Sequence, residues 1–297
     1  MYQLLTLLNG AICAVMIAIN GTLTNHYGLF TATVIIHIVG TLFSLGVLLV
    51  RRDKIRPPKG LPLWMYLGGA IGLLTSLSNN FCIGKISITS ILALGLFGQA
   101  VTALVIDRTG LLGMEKRPFR PSSLVGVAFA LAGIVFMLDF GEHSALWAIL
   151  VATGGGVSGV FSRTVNARLS YHVGALDGSF INHLVGLPLS ILAMVILGRS
   201  EVFPGFFPQV WMYIGGTMGV ATVLLLNVVV PKLPAFQVTM LTFAAEVFAG
   251  VAIDLLVGTD ISGKTFIGGL IVAAGMGLNM VLERLDERRA LQNQKAG

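Results

Sequence analysis

Charge is scarce in this chain: Asp, Glu, Lys and Arg together make up 11% of its 297 residues, too few to clothe a soluble body of that size. Cysteine occurs twice, as Cys13 and Cys82, which excludes a disulfide framework and any cysteine-based metal centre. The chain has no phosphate-binding glycine loop of the Walker type, no HExxH pair and no GxSxG elbow, so an ATP-driven pump and the common hydrolase sites are excluded. Ten-residue stretches of alternating polarity are also missing, which argues against a membrane barrel. No basic segment precedes the first apolar stretch and no small-residue cleavage site follows it. That stretch is therefore expected to be a retained helix rather than a signal peptide.

What the chain has instead is apolar sequence: 55% of the residues are hydrophobic, gathered into blocks of about 20, the length of helix that crosses a hydrocarbon core. In lipid each backbone donor and acceptor needs an internal partner, so these blocks read as helices. Spans are expected near 4–23, 30–50, 62–81, 87–106, 121–139, 145–163, 176–198, 209–230, 235–257 and 265–282, joined by short loops. The fold class is thus an all-α polytopic membrane protein with ten transmembrane helices.

Sixteen of the 19 Lys and Arg residues fall in alternate loops and the two termini; only Lys85, Arg199 and Lys264 fall in the others. Arg163 and Arg168 are counted here as loop residues after the sixth span. Basic residues concentrate on the cytoplasmic side, so both termini are expected there. The same distribution explains the net charge of +6 without a nucleic-acid partner. Nothing calls for a cofactor or a metal.

An internal repeat is legible at two nearly equal spacings. At 146, Gly10, Asn20, Leu23, Gly28, His37, Gly40 and Ser44 recur as Gly156, Asn166, Leu169, Gly174, His183, Gly186 and Ser190. At 147, Trp64-Met65-Tyr66, Gly68, Gly69, Gly72, Thr75, Asn80, Lys85 and Asp107 recur as Trp211-Met212-Tyr213, Gly215, Gly216, Gly219, Thr222, Asn227, Lys232 and Asp254. Residues 1–140 form one five-helix repeat, and 141–297 a second with a short cytoplasmic tail. Five is odd, so the second copy enters from the opposite face, the inverted arrangement of secondary transporters.

Polar groups inside spans cost several kcal/mol if left unpaired and therefore mark function. Glu246 lies deepest, near the middle of the ninth span, where a carboxylate can exchange a proton for a cationic partner. The alternative is a neutral acid that bridges helices. Its repeat partner is Gln99, equal in shape but unable to titrate, and either a solute contact or a helix-bridging amide. His37 and His183 occupy matched places in the second helix of each repeat and suit either proton relay or packing. Asn182 faces Ile36 in the comparison and could bear on selectivity. Asn20 and Asn166 are read as ends of the first helix of each repeat, in capping or turn roles, and Asp107 and Asp254 as interfacial anchors. Pro188 should kink the seventh span; Trp64 and Trp211 should anchor at the interfaces.

Several of these residues carry a resemblance. Asn20-Gly21 followed by Gly28, Ala32, His37 and Gly40, then Gly68-Gly69 with Gly72, then Gly98-Gln99 with Ile106-Asp107-Arg108 and Gly110-Leu111-Leu112-Gly113, resemble the YdcZ-like branch of the drug/metabolite transporter superfamily. The likeness is close in the first half and looser in the second, which carries Ala245-Glu246 in place of Gly-Gln. It implies a fused pair of five-helix units in the inner membrane, with both termini inside, moving a small organic solute by alternating access, often outward. A proton or other cation and the lipid bilayer are the remaining partners, and the protein is a monomer or a homodimer. The alternatives are a non-transporting scaffold or sensor and, last, a membrane-embedded enzyme.

Overall fold

Long apolar stretches that cannot be solvated close their own backbone hydrogen bonds, and the described residues of the computed structural model are accordingly helical, with no strand among them. Those residues are 1–51, 60–82, 88–117, 123–137, 146–199, 201, 203–207, 209–257 and 263–296. They form α1 (Tyr2–Tyr27), α2 (Leu29–Val50), α3 (Gly68–Cys82), α4 (Ile88–Thr109), α5 (Ser123–Met137), α6 (Leu146–Val173), α7 (Ala175–Leu197), α8 (Gly215–Val229), α9 (Ala235–Val257) and α10 (Gly263–Ala296). A 3-10 turn leads into α3 (Leu63–Leu67), and another precedes α8 (Val210–Tyr213). Seven of the helices are long and apolar enough to cross a membrane; the apolar stretches at Leu63–Ser78, Leu124–Phe136 and Phe266–Leu282 are shorter. Large apolar side chains face outward, among them Leu42 (62% exposed) and Ile196 (53%), while Asn166, His183, Ser190 and Asn227 lie buried. This inversion of the soluble pattern is what a hydrocarbon solvent selects.

Two expected boundaries are corrected. The first helix continues past 23 to Tyr27, and the sixth continues past 163 to Val173. Asn20, Arg163 and Asn166 are therefore helix-interior residues, not helix ends or loop residues. A polar residue in an apolar run marks the water boundary only where no interior cavity receives it, and these side chains line one. The capping role read for Asn20 and Asn166 therefore falls. What ends these helices is Gly28 (φ 80°) and Gly174 (φ 99°), each the one-residue link to the next helix in a backbone region open chiefly to glycine. Pro188 lies inside α7, which runs through it as one helix.

The helices of one half pack on those of the other. α1 lies against α8 and α9, α6 against α3 and α4, α2 against α7, and α5 against α10. Glycine permits close approach at several of these crossings. A methyl group on Gly10 would stand 2.4 Å from the carbonyl oxygen of Thr242, and one on Gly156 would stand 2.0 Å from that of Gly95. Such backbone-to-backbone contact is how helices associate where lipid supplies no hydrophobic drive.

Two helix N-termini are satisfied by carboxylates from elsewhere. Asp107, near the end of α4, accepts the backbone N–H groups of Ala235 (2.7 Å) and Phe236 (2.9 Å) at the start of α9. Glu201 accepts those of Phe30 (3.0 Å) and Thr31 (2.8 Å) at the start of α2, and the Thr31 hydroxyl at 2.9 Å. Each pairs orphan donors that the helix itself cannot satisfy and places negative charge at the positive end of its dipole.

Candidate functional site

The polar interior residues line a shared cavity of about 410 Å³, bounded by α1, α2, α3, α4, α6, α7, α8 and α9. Each wall contributes polar groups: Asn9, Cys13 and Asn20 from α1, His37 from α2, Thr75 and Ser76 from α3, Gln99 from α4, Arg163 and Asn166 from α6, Asn182 and His183 from α7, Asn227 from α8, and Glu246 from α9. A larger cavity, about 630 Å³, lies between α2, α7 and the segment around Phe203 and Phe206, but its lining is chiefly aliphatic and aromatic. Convergence of several polar groups distinguishes the smaller one as the binding-site candidate.

Arg163 and Asn9 are cavity residues that the sequence reading missed, and Arg163 is the charged one. Its Nη1 donates to Gln99 Oε1 at 3.1 Å and its Nη2 to the Thr239 hydroxyl, so α4 and α9 together hold the guanidinium in place. Glu246 lies within electrostatic reach of Arg163, and the Cys13 thiol of α1 is the other group that acts on it. Among the described residues no Lys, Arg or His nitrogen stands within 4.0 Å of Glu246, so acid and guanidinium share the cavity without a direct ion pair. A signal for Arg163 did exist: at the spacing of 146 it aligns with Ile17, a charge opposite an aliphatic side chain.

The two histidines meet where α2 crosses α7. Their rings lie 6.0 Å apart, centroid to centroid, and each Nδ1 bonds the carbonyl one turn back, Thr33 O at 2.8 Å for His37 and Ser179 O at 2.9 Å for His183. A carbonyl can only accept, so the neutral rings carry their proton on Nδ1 and present Nε2. Each ring lies over a glycine of the opposite helix, His37 over Gly186 and His183 over Gly40. The asparagines repeat this exchange: Asn166 packs on Gly68 and Asn20 on Gly215. Asn166 also donates through Nδ2 to Asn182 Oδ1 at 2.8 Å. The amide oxygens of Asn9, Asn20 and Asn227 are buried without a hydrogen-bond donor among the described residues.

The structure thus brings Glu246, Gln99, His37, His183, Asn182, Asn20 and Asn166 to one cavity. Asp107 stands apart as the cap of α9. The side chain of Asp254 lies outside the described residues. Both charged groups of this site, Arg163 against Ile17 and Glu246 against Gln99, fall in the second half, as does Asn182 against Ile36, whereas Asn9 against Gly155 and Ser76 against Val223 put the polar member in the first.

The family described as "Putative inner membrane exporter, YdcZ" matches this chain twice over, at residues 1–136 and again at 146–278. The chain belongs to that family. It is a double-length member of the YdcZ branch of the drug/metabolite transporter superfamily and a multi-pass protein of the inner membrane. A solved structure titled only "Crystal structure of protein" resembles this YdcZ chain with a TM-score of 0.71 at 18% identity, over 94% of this chain and 98% of that one. At that identity the likeness shows a shared fold and nothing further. No curated protein matches the sequence.

Proposed function

We propose that this YdcZ-family protein is a secondary transporter that carries a small organic solute outward across the inner membrane by alternating access, with proton binding at Glu246 coupled to the cycle. Its ten helices make two five-helix units of opposite orientation, with both termini in the cytoplasm. The observation that carries the proposal is the cavity itself: a polar chamber of about 410 Å³ inside an apolar bundle, holding an acid and a guanidinium that no water-facing surface requires. An ionised side chain in a membrane interior is expensive enough that its persistence calls for a use.

Three observations support the architecture. The contacts exchange under the repeat, α1 on α8 and α9 against α6 on α3 and α4, with α2 paired to α7 and α5 to α10. The His-on-Gly and Asn-on-Gly contacts exchange in the same way. Arg163 and Arg168 both fall within α6, and with the two left out 14 of the remaining 17 Lys and Arg residues still lie on one side. Outward transport follows the family description.

The test is solute flux in proteoliposomes with an imposed pH gradient. Wild-type protein should move a solute in a pH-dependent manner, and Glu246→Gln should retain binding while losing that dependence. Flux that responds to pH equally in both proteins would remove Glu246 from the coupling role.

A further inference from the structure

The functional reading leaves open what the guanidinium in the cavity is for. Two helices spend hydrogen bonds on holding Arg163, through Gln99 and Thr239, and among the described residues the rest of its N–H donors have no acceptor. Guanidinium carries five donors in a planar fork that matches a carboxylate, and three of the five remain available here. Arg163 lines the cavity, so those donors are presented to whatever enters it. Its counter-charge, Glu246, comes from α9 and is close enough to act electrostatically but not to occupy the fork. Asp107, the other acid that Arg163 senses, is committed to two backbone N–H groups of α9 and cannot follow a solute.

We propose that Arg163 anchors a carboxylate group of the transported solute, and that Glu246 takes up a proton as that carboxylate binds. The assignment rests on the transport reading and adds the substrate class. Charge balance is its logic. With Arg163 and Glu246 both ionised the cavity is neutral; a solute anion alone would leave it carrying net negative charge in a low-dielectric interior, and a proton on Glu246 restores neutrality. The other titratable groups around Glu246 are the Cys13 thiol on α1 and, farther along the same cavity, His37 on α2 and His183 on α7. Neither histidine neighbours the carboxylate as Cys13 does, which leaves Glu246 as the group that senses the incoming charge. The load is then electroneutral, so membrane potential neither drives nor opposes it, and net flux is outward where the product of proton and carboxylate concentrations is higher inside.

The experiment uses the full-length protein in detergent. Binding of a series of monocarboxylates, acetate to octanoate with benzoate, is measured beside the matching amides and amines by thermal shift and titration calorimetry at pH 6 and pH 8. Proton uptake is read with an indicator dye in weak buffer. At least one carboxylate should bind more than about tenfold tighter than its amide or amine, more tightly at pH 6, with roughly one proton taken up per molecule bound. Arg163→Gln should weaken that binding by about 100-fold. Glu246→Gln, which keeps the shape of the side chain, should bind the carboxylate at pH 8 as tightly as wild type does at pH 6 and should abolish proton uptake. If Arg163→Gln fails to fold, Glu246→Gln decides alone. The proposal is overturned if no carboxylate outbinds its amide, if amines are preferred, or if proton uptake survives in Glu246→Gln. Carboxylate binding without flux in proteoliposomes would keep the site and remove the transport reading; flux of an amine without carboxylate binding would do the reverse.

Discussion

His37 and His183 rest on glycines of the opposite helix, and the space for an added methyl there can be stated: on Gly186 it would stand 2.4 Å from His37 Nε2, and on Gly40 it would stand 2.3 Å from His183 Cδ2. Gly186→Ala and Gly40→Ala should therefore each cost about 1–3 kcal/mol through displacement of a ring hemmed in by α2 and α7. A lowered unfolding temperature in detergent is the readout. Gly154 is the control, since nothing lies within 4 Å of the corresponding methyl; Gly154→Ala should be neutral or raise stability by up to about 1 kcal/mol through helix propensity. An equal loss at all three positions would show that helix crossing is not what these glycines serve. The histidines, Asn182, Gln99 and Glu246 were legible in the sequence, because a polar side chain in an apolar run is conspicuous, whereas Asn20 and Asn166 read as helix ends and Asn9 has no polar counterpart in the repeat to mark it. Arg163 was not, because a cation at the end of a mainly apolar run looks the same whether it leaves the membrane or turns into a cavity.

At the scale of single helices, the order and number of the elements follow from apolar run length, and that much was readable in advance. Where α1 and α6 end was not, since the deciding feature is tertiary: the cavity lets their polar residues stay inside the bundle. The caps on α2 and α9 were hidden for the same reason, for nothing local pairs Glu201 with Phe30 or Asp107 with Ala235, separated by 171 and 128 residues. These caps are testable. Asp107→Ala strips two N–H groups of their acceptor and should destabilise the protein by about 1–2 kcal/mol, with Asp107→Asn recovering part of the loss. Glu201→Ala should act likewise at α2. Hydrogen exchange should localise each effect, with faster exchange at Ala235 and Phe236 in the first variant and at Phe30 and Thr31 in the second. Exchange that quickens uniformly along the chain would point to general loosening instead of a lost cap.

In the whole molecule the two halves are neighbours in sequence but not separate bodies, since α1 finds its main partners in α8 and α9, and α6 in α3 and α4. Expressed alone, residues 1–140 or 141–297 should fail to accumulate as folded protein, whereas co-expression of the two should restore a complex that co-purifies. Stable accumulation of either half by itself would show that the cross-half packing is dispensable. The polarity difference between the halves has a consequence for ancestry. Two copies of the first half, paired as these halves are, would bring an amide but neither buried cation nor buried acid to their shared chamber; two copies of the second would bring two guanidinium groups and two acids. Only a covalently joined or obligately mixed pair can hold one of each. Fusion in this lineage is thus a change of stoichiometry as well as a convenience of assembly, because it permits a single charge pair in a chamber walled by both halves.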